Sequence, residues 1–136
     1  MRIAVSPTFL ESVANLPRVR PYIGPGTHRF EAGESWARTV ALEWAEGGVV
    51  FLRESPRVYS AHLVFAPKTP DPAGKLRAAL GYLFTTTDCL RVIGETPARY
   101  RHVRKTAERA GLKHINDESG ASHYALTRSQ WLTDEE

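Results

Sequence analysis

The stretch VYSAHLVFAPKTPDPAGKLRAALGYLFTTTDCLRVIG, residues 58–94, decides the fold. Its first nine residues alternate with the two-residue period of a strand: Val58, Ser60, His62, Val64 and Ala66 on one face, Tyr59, Ala61, Leu63 and Phe65 on the other. Residues 67–72 hold three prolines and read as a loop. From Ala73 to Thr87 the period changes. Leu76, Ala79, Leu80, Leu83 and Phe84 fall at i, i+3, i+4, i+7 and i+8, the strongest helical stripe in the chain. Leu90 to Gly94 is a short apolar run, as in a buried strand. Strand, helix and strand in succession predict a right-handed crossover, with the His62 and Val92 strands as parallel neighbours.

Upstream, Val40, Leu42 and Trp44 alternate as in a strand, although Trp36, Val40 and Glu43 would also fit a helix face. The strand reading over Thr39–Ala45 is preferred because Glu46-Gly47-Gly48 is a hairpin signal and Val49–Arg53 is β-branched and apolar. With Ser55-Pro56 as a second turn, these strands and Val58–Ala66 form a meander. Arg2–Val5 reads as an edge strand. Thr8–Val19 reads as a helix ended by Pro17, and Pro21, Gly24, Pro25 and Gly26 as a loop. Downstream, Pro97 is expected near the first turn of a helix with the inward stripe Tyr100, Val103, Ala107 and Ala110, closed by Gly111. Leu112–Ile115 and Ser122–Thr127 are the last strands, with Trp131 stapling the tail to the sheet or serving a protein contact. The fold class is α/β (α+β): a mixed, mostly antiparallel twisted sheet with a central parallel pair and flanking helices. One domain is expected over 1–132, and an acidic tail over 133–136.

A chain of 136 residues, 42% hydrophobic and 24% charged, can bury a core without disulfides or metal. Cys89 stands alone, which excludes an intrachain disulfide and fits a reducing compartment. The five histidines lack paired-ligand spacing, so no metal site is read. No apolar run is long enough for a bilayer and no signal-peptide pattern opens the chain, so a cytoplasmic location is expected. The net charge of +3 suits an anionic cofactor or a weak nucleic-acid contact and demands neither.

Thr96-Pro97 leading to a helix that ends Ala107-Glu108-Arg109-Ala110-Gly111-Leu112 resembles a step in the GNAT superfamily of N-acetyltransferases. Phe65-Ala66-Pro67 leading to Gly74-Lys75 and a helix resembles that superfamily's pyrophosphate-binding segment. Pro17-x-Val19-x-Pro21-x-Ile23-Gly24 and Val58-Tyr59-Ser60-Ala61-His62 look like short GNAT-type proteins of tailed bacteriophages, which would place the chain in host cytoplasm or virion. The resemblance covers nearly the whole chain and rests on the ordered set of motifs. It implies acetyl-CoA or another acyl-CoA as cofactor and an amine acceptor. Val64, Phe65, Ala66, Lys68, Gly74 and Lys75 would hold the cofactor. Pantetheine would pair with backbone around Val64–Ala66, and the diphosphate would meet loop amides and a helix N-terminus. The fold also allows two copies to pair as a homodimer.

The sequence departs from the family in two places. Pro70 and Pro72 have no N–H to donate, and Asp71 puts a negative charge where phosphates would lie. Ala107 stands where many members carry a tyrosine general acid, with Tyr100 as a substitute. For the base, His62 is the first candidate, and its alternative is a partly buried, hydrogen-bonded histidine. Glu43 and Glu54 are further bases or solvated strand charges; Glu95 positions substrate or caps a helix. Arg99, Arg101, Arg104, Lys105 and Arg109 form either a solvated helix face or a contact for phosphates or nucleic acid. Three functions follow: an acyl-CoA-dependent N-acyltransferase, a non-catalytic GNAT-fold phage virion, assembly or interaction protein, and a nucleic-acid-contacting protein.

Overall fold

The stripe Leu76, Ala79, Leu80, Leu83 and Phe84 is the buried face of α2 (Pro72–Thr86), each side chain at most 2% exposed. Fully burying one such Leu or Phe contributes about 1.5–3 kcal/mol, so the pattern that marks the helix in the sequence also holds it in place. The computed structural model describes residues 1–24 and 28–134. Pro25 and Gly26 of the expected loop, and Glu135 and Glu136 of the expected tail, lie outside the described residues.

Around α2 the elements run in the order β1 (Arg2–Ile3), α1 (Thr8–Ala14), β2 (Thr39–Trp44), β3 (Gly47–Ser55), β4 (Val58–Phe65), α2, β5 (Arg91–Pro97), α3 (Arg101–Arg109), β6 (Lys113–Glu118), β7 (Ala121–Thr127) and α4 (Arg128–Asp134). Short 3-10 turns occupy Arg20–Tyr22 and Gly33–Arg38. The strands form one sheet in the order β1-β2-β3-β4-β5-β7-β6. β4 and β5 are parallel, while β1–β2, β2–β3, β5–β7 and β6–β7 are antiparallel. This is the mixed sheet with a central parallel pair that the crossover requires.

By its contacts the chain falls into two units, Met1–Leu52 with His62–Pro70, and Arg53–Ala61 with Asp71–Glu136. In the first, Val13, Ala14 and Val64 form a buried cluster with Phe9, Ile23, Phe30 and Val50 packed on it. In the second, the α2 stripe, Val92 and Leu126 are buried. No helix among the described residues is long and apolar enough to cross a membrane.

Three boundaries differ from the sequence reading. α1 stops at Ala14, before Pro17, with Asn15 as its C-cap: the Asn15 side-chain amide donates to the Phe30 carbonyl (2.9 Å) and its oxygen accepts the Phe30 amide (2.6 Å). Pro97 ends a strand instead of opening a helix. It pairs with Ala121, and the Ala98 amide continues to the Gly120 carbonyl (2.8 Å), so α3 begins only after Tyr100. Trp131 sits in α4, which continues to Asp134, and its indole stacks on Phe84 at 5.6 Å between centroids.

Candidate active site

β4 carries the first candidate base and the first candidate cofactor residues. Val64 is buried in the cluster with Val13 and Ala14, and the two-residue period puts His62 and Ser60 on that same strand face. His62 is exposed, where the alternative to a base had it partly buried. On the opposite face, the Phe65 ring lies 6.1 Å from that of Trp44. The Ala66 amide donates to the Glu46 carbonyl (2.9 Å), on the β3 side of the strand. Backbone groups of successive strand residues point to opposite edges, so Phe65 and Leu63 direct theirs to the edge away from β3. The β4–β5 ladder runs over Val58↔Arg91, Tyr59↔Val92 and Ser60↔Ile93, while β4 continues to Phe65 and β5 to Pro97. Leu63 and Phe65, not Val64 and Ala66, therefore have the backbone orientation that a ligand running along that edge would use. The Ala66 carbonyl also accepts the Thr69 hydroxyl (2.6 Å).

The loop after β4 tests the diphosphate cradle. Asp71 is the N-cap of α2 in a left-handed conformation (φ 47°, ψ 59°), and its carboxylate accepts the Gly74 amide at 3.1 Å. A side chain at Gly74 would collide with that carboxylate, whose oxygen would lie 2.1 Å from an added Cβ. The N1 position is Pro72, which has no N–H. An internal anion thus caps the helix end where the cofactor's diphosphate would be expected, and of the expected amides Gly74 is engaged. Asp71 is exposed, and two like charges ~4 Å apart in water repel by about 1 kcal/mol, so its carboxylate opposes a phosphate charge. A diphosphate would meet this helix end only against the Asp71 carboxylate, so the residues present fit it weakly. Lys68 is exposed and also left-handed (φ 63°).

The remaining candidates are scattered. Glu43, on β2, is buried and ion-paired with Arg2 at 2.5 Å. Glu54 is exposed and accepts the hydroxyl of buried Ser60 at 2.7 Å, on the His62 face of β4. Tyr100 caps α3, with the Arg99 guanidinium 4.7 Å above its ring and donating to its hydroxyl at 3.3 Å. Cys89 is wholly buried, and burial pushes its thiol up to about 11. Among the described residues no group of three His, Cys, Asp or Glu could hold a metal ion.

The sequence reading overlooked two polar clusters. Tyr124 is buried on β7 and donates its hydroxyl to Glu108 (2.9 Å) while accepting from Arg104 Nε (3.4 Å). Its phenol titrates above its ordinary value, first through burial and then through Glu108, against the lowering effect of the Arg104 hydrogen bond. Asp117 accepts from the Ser122 hydroxyl (2.6 Å) and contacts His114 Nε2 (2.9 Å). Ser122 is fully buried, and the trio links β6 to β7. Only the alternation on β7 hinted at these partners; the Asp117 trio depends on β6–β7 register and the Tyr124 cluster on the contact of α3 with β7.

No family model matches the chain, and no curated protein matches it. Solved structures do. The structure is similar to that of spermidine N-acetyltransferase from Vibrio cholerae, solved with CoA and spermine, with a TM-score of 0.73 and 14% identity over 96% of this chain and 97% of that one. It is similar to an acetyltransferase of the GNAT family from Bacillus anthracis, with a TM-score of 0.58 and 16% identity over 68% of this chain and 67% of that one. It is also similar to the N-acetyltransferase PseH of Campylobacter jejuni, with a TM-score of 0.54 and 10% identity over 60% of this chain and 59% of that one. The likeness is one of architecture: a seven-stranded sheet with one parallel pair at its centre gives this chain the fold of the GNAT acetyltransferases.

Proposed function

We propose that the chain is an acyl-CoA-dependent N-acyltransferase with weakened affinity for its cofactor. One observation carries the reading: the β4–β5 ladder covers three residue pairs, and β4 runs on to Phe65 with the Leu63 and Phe65 backbone turned to the edge away from β3. Extended amides of pantetheine suit such an edge, as a peptide suits the edge of a sheet. When bound, acyl-CoA supplies an activated thioester carbon. The chain's own part is to align the ligand along β4 and to remove a proton from the incoming ammonium. His62, exposed and on the strand that would bind the ligand, is the group for that task, with Glu54 beside Ser60 as the alternative. Ala107 cannot donate a proton to a departing thiolate, so solvent fills that role and turnover is slow.

The test follows backbone amide resonances and thiol release together. Acetyl-CoA should perturb the Leu63 and Phe65 amides, and a primary amine should then release free thiol. His62→Ala should lower turnover by about a hundredfold or more, the usual worth of a general base, and keep the amide perturbations. Absence of both perturbation and thiol release at millimolar acetyl-CoA overturns the reading; unchanged turnover in His62→Ala removes that residue as base.

A second reading rests on Asp71. Its carboxylate on the Gly74 amide fills the anion position of α2 from within, which favours a GNAT-fold assembly or interaction component, such as one of a phage particle, that has given up transfer.

A further inference from the structure

Residues 99–109 hold Arg99, Arg101, Arg104, Lys105 and Arg109 against the one carboxylate of Glu108, a net +4 with histidine neutral. The whole chain carries +3, so the remainder is slightly acidic and the positive field belongs to this segment. Arg101, His102, Arg104, Lys105 and Glu108, all on α3, line a shallow hollow open to solvent. Arg104 is held within it: Nε donates to the Tyr124 hydroxyl (3.4 Å) and Nη1 to the Ala98 carbonyl (3.2 Å). Arg101 and Lys105 are exposed and one helical turn apart, about 6 Å along the axis. Glu108 opposes an anion, but it accepts the Tyr124 hydroxyl at 2.9 Å, and cations outnumber it.

We propose that this hollow binds single-stranded nucleic acid, with Arg101, Arg104 and Lys105 taking backbone phosphates and the exposed His102 ring stacking on a base. Cations interleaved with an aromatic ring on this exposed helix face suit an unpaired strand, whose phosphates and bases are both open to contact. This site is independent of acyl transfer.

The test is fluorescence anisotropy of a labelled oligothymidylate of roughly 20 nucleotides with the full chain, from about 20 mM to about 150 mM salt. Binding should appear at low salt and weaken as salt rises. Arg101→Ala with Lys105→Ala should lower affinity at least about tenfold, and His102→Ala about fivefold. Melting temperatures should be unchanged, because all three side chains are exposed. Lack of binding at low salt overturns the proposal, as does wild-type affinity in the double variant. Unaltered binding by His102→Ala reduces the hollow to a general polyanion patch, and displacement of the oligonucleotide by CoA hands it to the cofactor; either result also contradicts the assignment.

Discussion

Asp117 illustrates how a surface carboxylate acquires a fixed protonation state. The Ser122 hydroxyl and His114 both stabilise its anion and hold its carboxyl below the usual value of 3.8. A lowered acid contributes stability above its unfolded value and loses it as pH falls. Acid unfolding followed by circular dichroism should therefore show Asp117 stabilising the chain at neutral pH, with the contribution vanishing below about pH 4. Asp117→Asn should flatten that limb; an unaltered acid profile would contradict it. Such a trio could not be read from sequence, because His114, Asp117 and Ser122 meet only through pairing across the β6–β7 turn and its bulge at His114/Asn116. His62 was more legible. Period-two alternation gave its strand and face, while its exposure depended on packing that a one-dimensional pattern does not encode.

At the scale of elements, α2 combines the clearest pattern with the most consequential cap. Its five-residue stripe was readable because all five of its positions are buried at helical spacing. α4 was not, because Arg128–Asp134 carries only Trp131 and Leu132 as apolar residues and shows no stripe. A local signal was nonetheless present. Thr127 and Gln130 form a reciprocal capping box, the Gln130 amide donating to the Thr127 hydroxyl (3.1 Å) and the Thr127 amide to the Gln130 side chain (3.0 Å). The Asp71 cap carries a prediction of its own. Asp71→Ala should cost about 1 kcal/mol in chemical denaturation, the usual worth of an N-cap. Asp71→Asn keeps the acceptor but removes the charge, and should tighten acetyl-CoA by about fivefold in calorimetry, equivalent to about 1 kcal/mol of relieved repulsion. Equal affinity in the two proteins would mean that the carboxylate does not oppose the diphosphate.

At the scale of the whole molecule, the sheet order follows from a few local facts: hairpins among β2, β3 and β4, one crossover through α2, and a final hairpin whose β7 inserts beside β5. The first two were legible from turn residues and period changes. The placement of β7 between β5 and β6 was not legible, because no pattern in residues 113–127 encodes it. The same architecture presents the β4 edge on which the proposed activity depends. The most direct measurement is thermal unfolding of the wild-type chain with increasing acetyl-CoA. Ligand at ten times its dissociation constant stabilises a folded protein by about 1.4 kcal/mol, so the midpoint should climb steadily with concentration into the millimolar range. A midpoint that stays fixed over that range would contradict cofactor binding at this edge.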